Sequence, residues 1–519
     1  MFMSKKMLLF VMMTALLSAF TIPPAFAGDM PVANDDLQKS VANMAKQMKE
    51  MRKIIDAQNG KIQSLEQKTR DNVKIPGVPA VGTPTPMSEK DFQDALGNEI
   101  KNYKYFKNLK MGGDFRLRYE AFREQKSSAD SLENRNRFRY RLRYGLENGI
   151  GDDLTVGFRL ASAVLNSRES SSNPSSNTAR TIYGGDPTST NQTMGNPGLF
   201  SFNTIAIEKA YAKYNPKYLK DLALGPVTIK GAELGGGKFE NPFLKYSSPM
   251  VWDADVTPEG IYEKIDMNLW QNEGNEVNWF GTAMQSPVKE AAAGEQDANL
   301  LGFQTGFNVV GYTPMMERPV EFNSAVAFYD WQNYASDQNF TFDAGTTSLA
   351  RGNTTCLGGT SGGAAGDCIG LEAGNPQVFD FYNEIKFTPA NVPLKFFSDV
   401  ASNVNNGSVS GTAAMKDTAW GLGMGVGELK NRGSWNVNYG FYSIPSNAVV
   451  GAFTDSDFGQ GHANNVGGVL KAGYQLTDNM QVNFAWFNVR PYAQDLPTNG
   501  SVIGDHTTNR FQTDLVWKF

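Results

Sequence analysis

The sequence predicts an all-β fold: a transmembrane antiparallel β-barrel of about 16 strands, preceded by an N-terminal α-helical coiled coil. Three features predict it. One run alternates strictly with period two, short and long connections alternate along the chain, and an export signal is followed by no segment long and apolar enough to cross a bilayer as a helix. The run is Asn134 to Tyr144, in which Arg137, Arg139, Arg141 and Arg143 share one parity and Phe138, Tyr140, Leu142 and Tyr144 the other. Side chains of a strand point alternately to its two faces, so every arginine lies on one surface and every large ring or leucine on the opposite one. Lipid outside and water inside satisfy both faces. Taken alone, the run also fits a soluble β-sandwich strand with a basic solvent face, and the rest of the chain decides between them.

The chain has 519 residues, of which 40% are hydrophobic, with 52 Gly, 33 Phe and 19 Tyr. That composition favours strands joined by many turns. No stretch of the expected mature chain approaches the ~18 consecutive apolar residues of a membrane-spanning helix. A formal net charge of -5 argues against a nucleic-acid partner.

From the N-terminus, Lys5 and Lys6 precede an apolar stretch from Met7 to Phe20, and Ala25-Phe26-Ala27 supplies a small-residue cleavage motif, so residues 1–27 read as a secretory signal peptide. Residues 28–74 read as a periplasmic coiled coil. Leu37, Val41, Met44, Met48, Met51, Ile55, Ile62 and Leu65 form a heptad seam interrupted by Gln58. The Met-rich seam implies oligomerisation without choosing between dimer and trimer. Residues 75–108 hold a Pro/Gly linker and a short helix with Ser88 and Asp91 at its start. The barrel is expected over residues 109–519.

Within it, Phe115, Leu117 and Tyr119 alternate with Arg116 and Arg118, and Leu154, Val156, Phe158 and Leu160 alternate with Arg159. Further strands read near 202–214, 227–239, 259–269, 276–285, 299–310, 319–329, 377–388, 392–403, 418–429, 434–442, 466–475, 480–489 and 508–519. Glu263 breaks the parity of its strand. Connections such as 430–433 and 476–479 are short, whereas 166–201, 331–376, 405–417, 443–465 and 491–507 are long and polar. This is the pattern of short periplasmic turns and long external loops. In the final segment Phe511, Leu515, Trp517 and Phe519 share parity, like the aromatic terminal strand by which outer-membrane barrels are recognised for assembly.

Cys356 and Cys368 are the two cysteines, and in an oxidising compartment they read as a local disulfide. The two histidines, His462 and His506, lie in loops, no Ser/His/Asp set is evident, and no Cys-x-x-Cys-His haem motif occurs. The chain is therefore not expected to be an enzyme, and no metal or cofactor is expected.

Several stretches are similar to the Putative porin family of Gram-negative bacteria. They are Gly113-Asp-Phe-Arg-Leu-Arg-Tyr-Glu120, the arginine run with Asp153-Leu-Thr-Val-Gly-Phe-Arg-Leu160, Gly237-Lys-Phe-Glu-Asn-Pro-Phe243, Trp252-Asp-Ala-Asp-Val-Thr-Pro-Glu-Gly260 and Tyr474-Gln-Leu-Thr-Asp-Asn479. The resemblance implies a channel for passive diffusion of small hydrophilic solutes or ions in the outer membrane. By similarity to general porins it also implies a homotrimer. The alternative is a structural anchor whose coiled coil tethers the envelope.

The expected pore-lining basic wall comprises Arg116, Arg118, Arg137, Arg139, Arg141, Arg143 and Arg159. The segment from Asn241 to Pro258 stands where general porins fold a loop into the lumen. Asp253, Asp255 and Glu259 are therefore the candidate constriction acids, facing the arginines across a narrow gap and setting up a transverse field. A mild anion preference is expected from the purer basic wall.

Overall fold

A computed structural model describes residues 108–125, 134–163, 204–289, 297–313, 316, 318–333, 353, 375–405, 417–459, 461, 463–492 and 507–519. The chain divides into two compact units, Met1–Phe92 and Gln93–Phe519, and every described residue belongs to the second. The signal peptide, coiled coil, linker helix and Cys356–Cys368 pair all lie outside the described residues.

Described residues form seventeen strands: β1 (Leu109–Gln125), β2 (Asn134–Ile150), β3 (Leu154–Ala163), β4 (Thr204–Tyr214), β5 (Leu222–Leu224), β6 (Val227–Lys238), β7 (Glu259–Asn272), β8 (Asn275–Lys289), β9 (Ala298–Gly311), β10 (Val320–Gln332), β11 (Gln377–Phe387), β12 (Leu394–Asn403), β13 (Thr418–Gly427), β14 (Trp435–Ile444), β15 (Asn465–Thr477), β16 (Met480–Pro491) and β17 (Thr507–Lys518). Sixteen are full staves of one antiparallel sheet. The three-residue β5, which the sequence pattern did not announce, is a side piece paired only with β6. The sheet closes where β17 pairs with β1, in a register running from Asp114↔Lys518 to Gln125↔Thr507. Phe519 and Gly113 exchange two backbone hydrogen bonds, of 2.9 and 3.2 Å, at that seam. Closure leaves the sheet without a free lateral edge along most of its length, as a bilayer interior requires.

Two-residue alternation places the predicted apolar set outside. Leu142, Phe158, Ile207, Phe303, Phe381 and Leu422 are all exposed on the outer face. On β2 Arg137, Arg139 and Arg141, of the opposite parity, are inside and buried. Turn chemistry at the short-connection end is local: Glu273 and Gly274, both with positive φ (51° and 83°), make the two-residue link between β7 and β8. Such a turn matches the twist of the strands it joins. The expected alternation of connection lengths relaxes in one place, because 290–297 and 312–319 span equal lengths.

Among the described residues, two long connections run inward. Residues 239–258, between β6 and β7, form the first inward loop, at the position expected from the sequence. Residues 445–464, between β14 and β15, form a second, where the sequence reading expected an external polar loop. Phe239, Phe243, Met250, Val251, Trp252 and Val256 of the first loop pack in one buried cluster with Val449, Val450, Ala452 and Phe458 of the second. Inward-facing Tyr329 and Trp331 of β10 join the same cluster. Trp252 is its hub, with ring centroids 5.4 Å from Tyr329, 5.9 Å from Trp331 and 5.7 Å from Phe453. The apolar residues of these loops thus form an internal core that holds the loops against the wall.

Candidate functional site

The register of β1 with β2 sets Arg116 directly opposite Arg141 and Arg118 directly opposite Arg139, with Glu120↔Arg137 above and Asp114↔Arg143 below. Directly opposed like charges on one face repel. Arg116, Arg118, Arg137, Arg139 and Arg141 are nevertheless all buried, at 5–7% exposure. Carboxylates from three directions make this tolerable. On β1 itself, the wholly buried Glu120 pairs with Arg137 and also receives Arg510 of β17 at 2.7 Å and Gln512 at 2.9 Å. Asp514 of β17 accepts a fork from Arg118, through Nε at 2.7 Å and Nη2 at 2.8 Å. Asp114 takes Arg143 at 2.6 Å and Arg141 at 3.1 Å. The bidentate Arg118–Asp514 contact is of the stronger, geometrically specific kind.

The inward loops supply the rest. Asp255 of the first loop lies 3.7 Å from both Arg141 and Arg143, so this predicted acid does face the predicted wall. Asp457 of the second loop lies 3.0 Å from Arg118 and 2.7 Å from Arg510. Burial raises its carboxyl, but the guanidinium groups of Arg510 and Arg118 outweigh that and hold it well below the usual carboxylate range.

The other two predicted acids are placed elsewhere. Asp253 accepts the backbone N–H of Asp255 at 2.8 Å and of Ser456 at 2.6 Å, so it shapes its own loop and ties it to the second. Glu259 opens β7 and pairs with Lys238 at 2.8 Å, away from the arginines, because its strand has already begun. Arg159, the last predicted member of the wall, pairs with Glu208 of β4. Arg510, Asp514 and Asp457 were missed by the sequence reading.

Across the lumen, β11 and β12 present Glu384, which meets Lys386 at 2.7 Å and Lys395 at 3.8 Å. On the same wall Asp380 accepts from Ser247 Oγ at 3.3 Å, and Asp399 accepts from the backbone N–H of Ser248 at 3.0 Å. These contacts seat the first loop on the wall opposite the arginines, while Asp255 and Asp457 reach the arginine wall itself.

No curated protein matches the chain. Solved structures that resemble it include Pseudomonas putida OprB at high pH (9% identity, 82% of this chain and 97% of that one, TM-score 0.45). They also include Salmonella typhi OmpF in complex with daunomycin (11%, 79% and 98%, TM-score 0.41) and the outer membrane channel DcaP of Acinetobacter baumannii (11%, 79% and 97%, TM-score 0.37). A sequence profile of the family described as Putative porin matches residues 88–357 and 380–508, most of the chain, so this protein belongs to that family of outer-membrane barrel channels.

Proposed function

We propose that the barrel passes small hydrophilic solutes by passive diffusion, with a mild preference for anions set by its arginine wall. The observation that carries this is the pair of directly opposed arginines, Arg116↔Arg141 and Arg118↔Arg139, on the inward face of β1 and β2. A wall needed only for stability would oppose arginine with acid, as at Glu120↔Arg137. Opposing arginine with arginine concentrates positive potential in a low-dielectric passage. Asp255 and Asp457 moderate that potential, which makes the preference mild.

The family and the barrel point to a channel rather than an enzyme. Assembly as a homotrimer belongs to the same reading; the heptad seam from Leu37 to Leu65 supports oligomerisation, similarity to general porins supplies the number three, and chemical cross-linking of the full chain in detergent tests it. The seam also favours a second reading, an envelope tether in which the barrel is only an anchor. Purified protein in a planar bilayer separates the two. Discrete conductance steps are expected, and a bilayer that takes up the protein without passing current contradicts the channel.

A further inference from the structure

A second basic feature lies on the inner wall beside the first inward loop. β4 turns Lys209, Tyr211 and Lys213 inward, β7 turns Tyr262 and Lys264 inward, and the loop brings Glu240, Asn241 and Lys245 over them. Together they line a cavity of about 500 Å³. Its lining holds four lysines and one acid, Glu240, which Lys209 engages at 2.8 Å. Among the described residues, Lys213, Lys245 and Lys264 form no ion pair. Each ammonium instead rests over a ring: Lys213 4.9 Å from the Tyr211 centroid, Lys264 5.2 Å from Tyr262, and Lys245 4.8 Å from Tyr246. Two further acids flank the lining: Glu233 accepts from the Tyr262 hydroxyl at 2.7 Å and from Asn215 at 3.1 Å, and Glu147 accepts from the Tyr211 hydroxyl at 2.9 Å.

Backbone and burial hold the arrangement in place. A Cβ on Gly235 would stand 2.2 Å from the Tyr262 ring, so this glycine leaves the space in which the ring lies across the wall. Asn241 is 2% exposed, and its Oδ1 accepts the N–H of Phe243 at 3.1 Å. Its Nδ2 is buried without a hydrogen-bond partner.

We propose that this cavity binds a small multivalent oxyanion of the phosphate class as it passes through the channel. Each lysine ammonium offers three rotatable donors and no acceptor, and a ring contact leaves those donors free. Donors converging from two strands and a loop suit a compact tetrahedral anion. A planar carboxylate is better met by the arginine fork, which this cavity lacks. Arg159 stands directly opposite Lys209 in the β3–β4 register, so the cavity continues the basic track from the arginine wall. As a subsite of transport the cavity presupposes the water-filled channel proposed above, but its binding can be measured without current.

The test is calorimetric titration of the full-length protein, folded in detergent at low ionic strength and mildly alkaline pH, with inorganic phosphate. Saturable binding is expected. Lys213→Met with Lys264→Met, which removes two charge-assisted contacts, should weaken it at least about tenfold. Lys245→Met, on the loop rather than the wall, should weaken it in the same direction and carries the test if the double variant does not fold. Lys230→Met, outside the lining, should leave it unchanged. Absence of saturable binding, or equal binding by wild type and Lys245→Met, overturns the proposal. Phosphate binding by a protein that passes no current contradicts only the channel, and current without phosphate binding contradicts only this site.

Discussion

Glu120 and Arg510, 390 positions apart in sequence, form a buried ion pair across the seam where the last strand closes on the first. The carboxylate is completely enclosed and also meets Arg137 of β2, so one acid ties together the three strands β17, β1 and β2. Removing its charge leaves buried guanidinium groups without their common partner. Glu120→Gln keeps the volume and should destabilise the barrel by about 3–5 kcal/mol. The measurement is the urea midpoint of the folded band on unheated gels, and an unshifted midpoint would mean the pair adds nothing to closure.

Asp457 gives a prediction in pH. Its folded carboxyl titrates below the ordinary value of about 3.9, so its contribution is present above that value and is lost as pH falls through the depressed folded one. The clasp of the second loop on Arg118 and Arg510 should therefore hold unchanged from neutral pH to about pH 5 and loosen only in stronger acid. Limited proteolysis of residues 445–464 should show protection at both of the first two conditions and cleavage in acid. Asp457→Asn should be cleaved throughout, and protection of this variant equal to wild type would contradict the clasp.

Trp252 joins the two inward loops to β10. Trp252→Ala removes a hub in contact with Tyr329, Trp331 and Phe453 and should cost about 3–5 kcal/mol in loop seating. Single-channel records should then show larger and noisier conductance steps. Steps identical to wild type would show that the loops do not limit the passage.

The sixteen staves were legible because period-two alternation with a lipid face and a water face is a strong constraint, and one slip in register would turn arginines toward lipid. The side strand β5 was not, being three residues without alternation. The Ser, Asn and Gly content of the second inward loop reads as external, and the structure instead buries it. A usable signal lay in Val449-Val450-Gly451-Ala452-Phe453, an apolar run with no reason to sit in external water, and burial of this run beside Trp252 is what brings Asp457 to the arginines.

Arg510 and Asp514 escaped notice for a different reason. The aromatic parity of the last strand carries the stronger sequence signal, while the opposite parity, Arg510, Gln512 and Asp514, faces the lumen beside Glu120. Asp253, Asp255 and Glu259 were grouped by nearness in sequence. Parity could not separate them, because two lie in a loop and one at a strand start, and only the fold shows that Asp255 alone meets the wall.

The central claim, that the arginine wall sets ion preference, is tested most directly by the reversal potential in a potassium chloride gradient across a planar bilayer. Wild type should reverse on the chloride side of zero, and Arg139→Gln with Arg141→Gln should move the potential toward the potassium side. Wild-type reversal on the potassium side, or no movement in the double variant, would contradict the account.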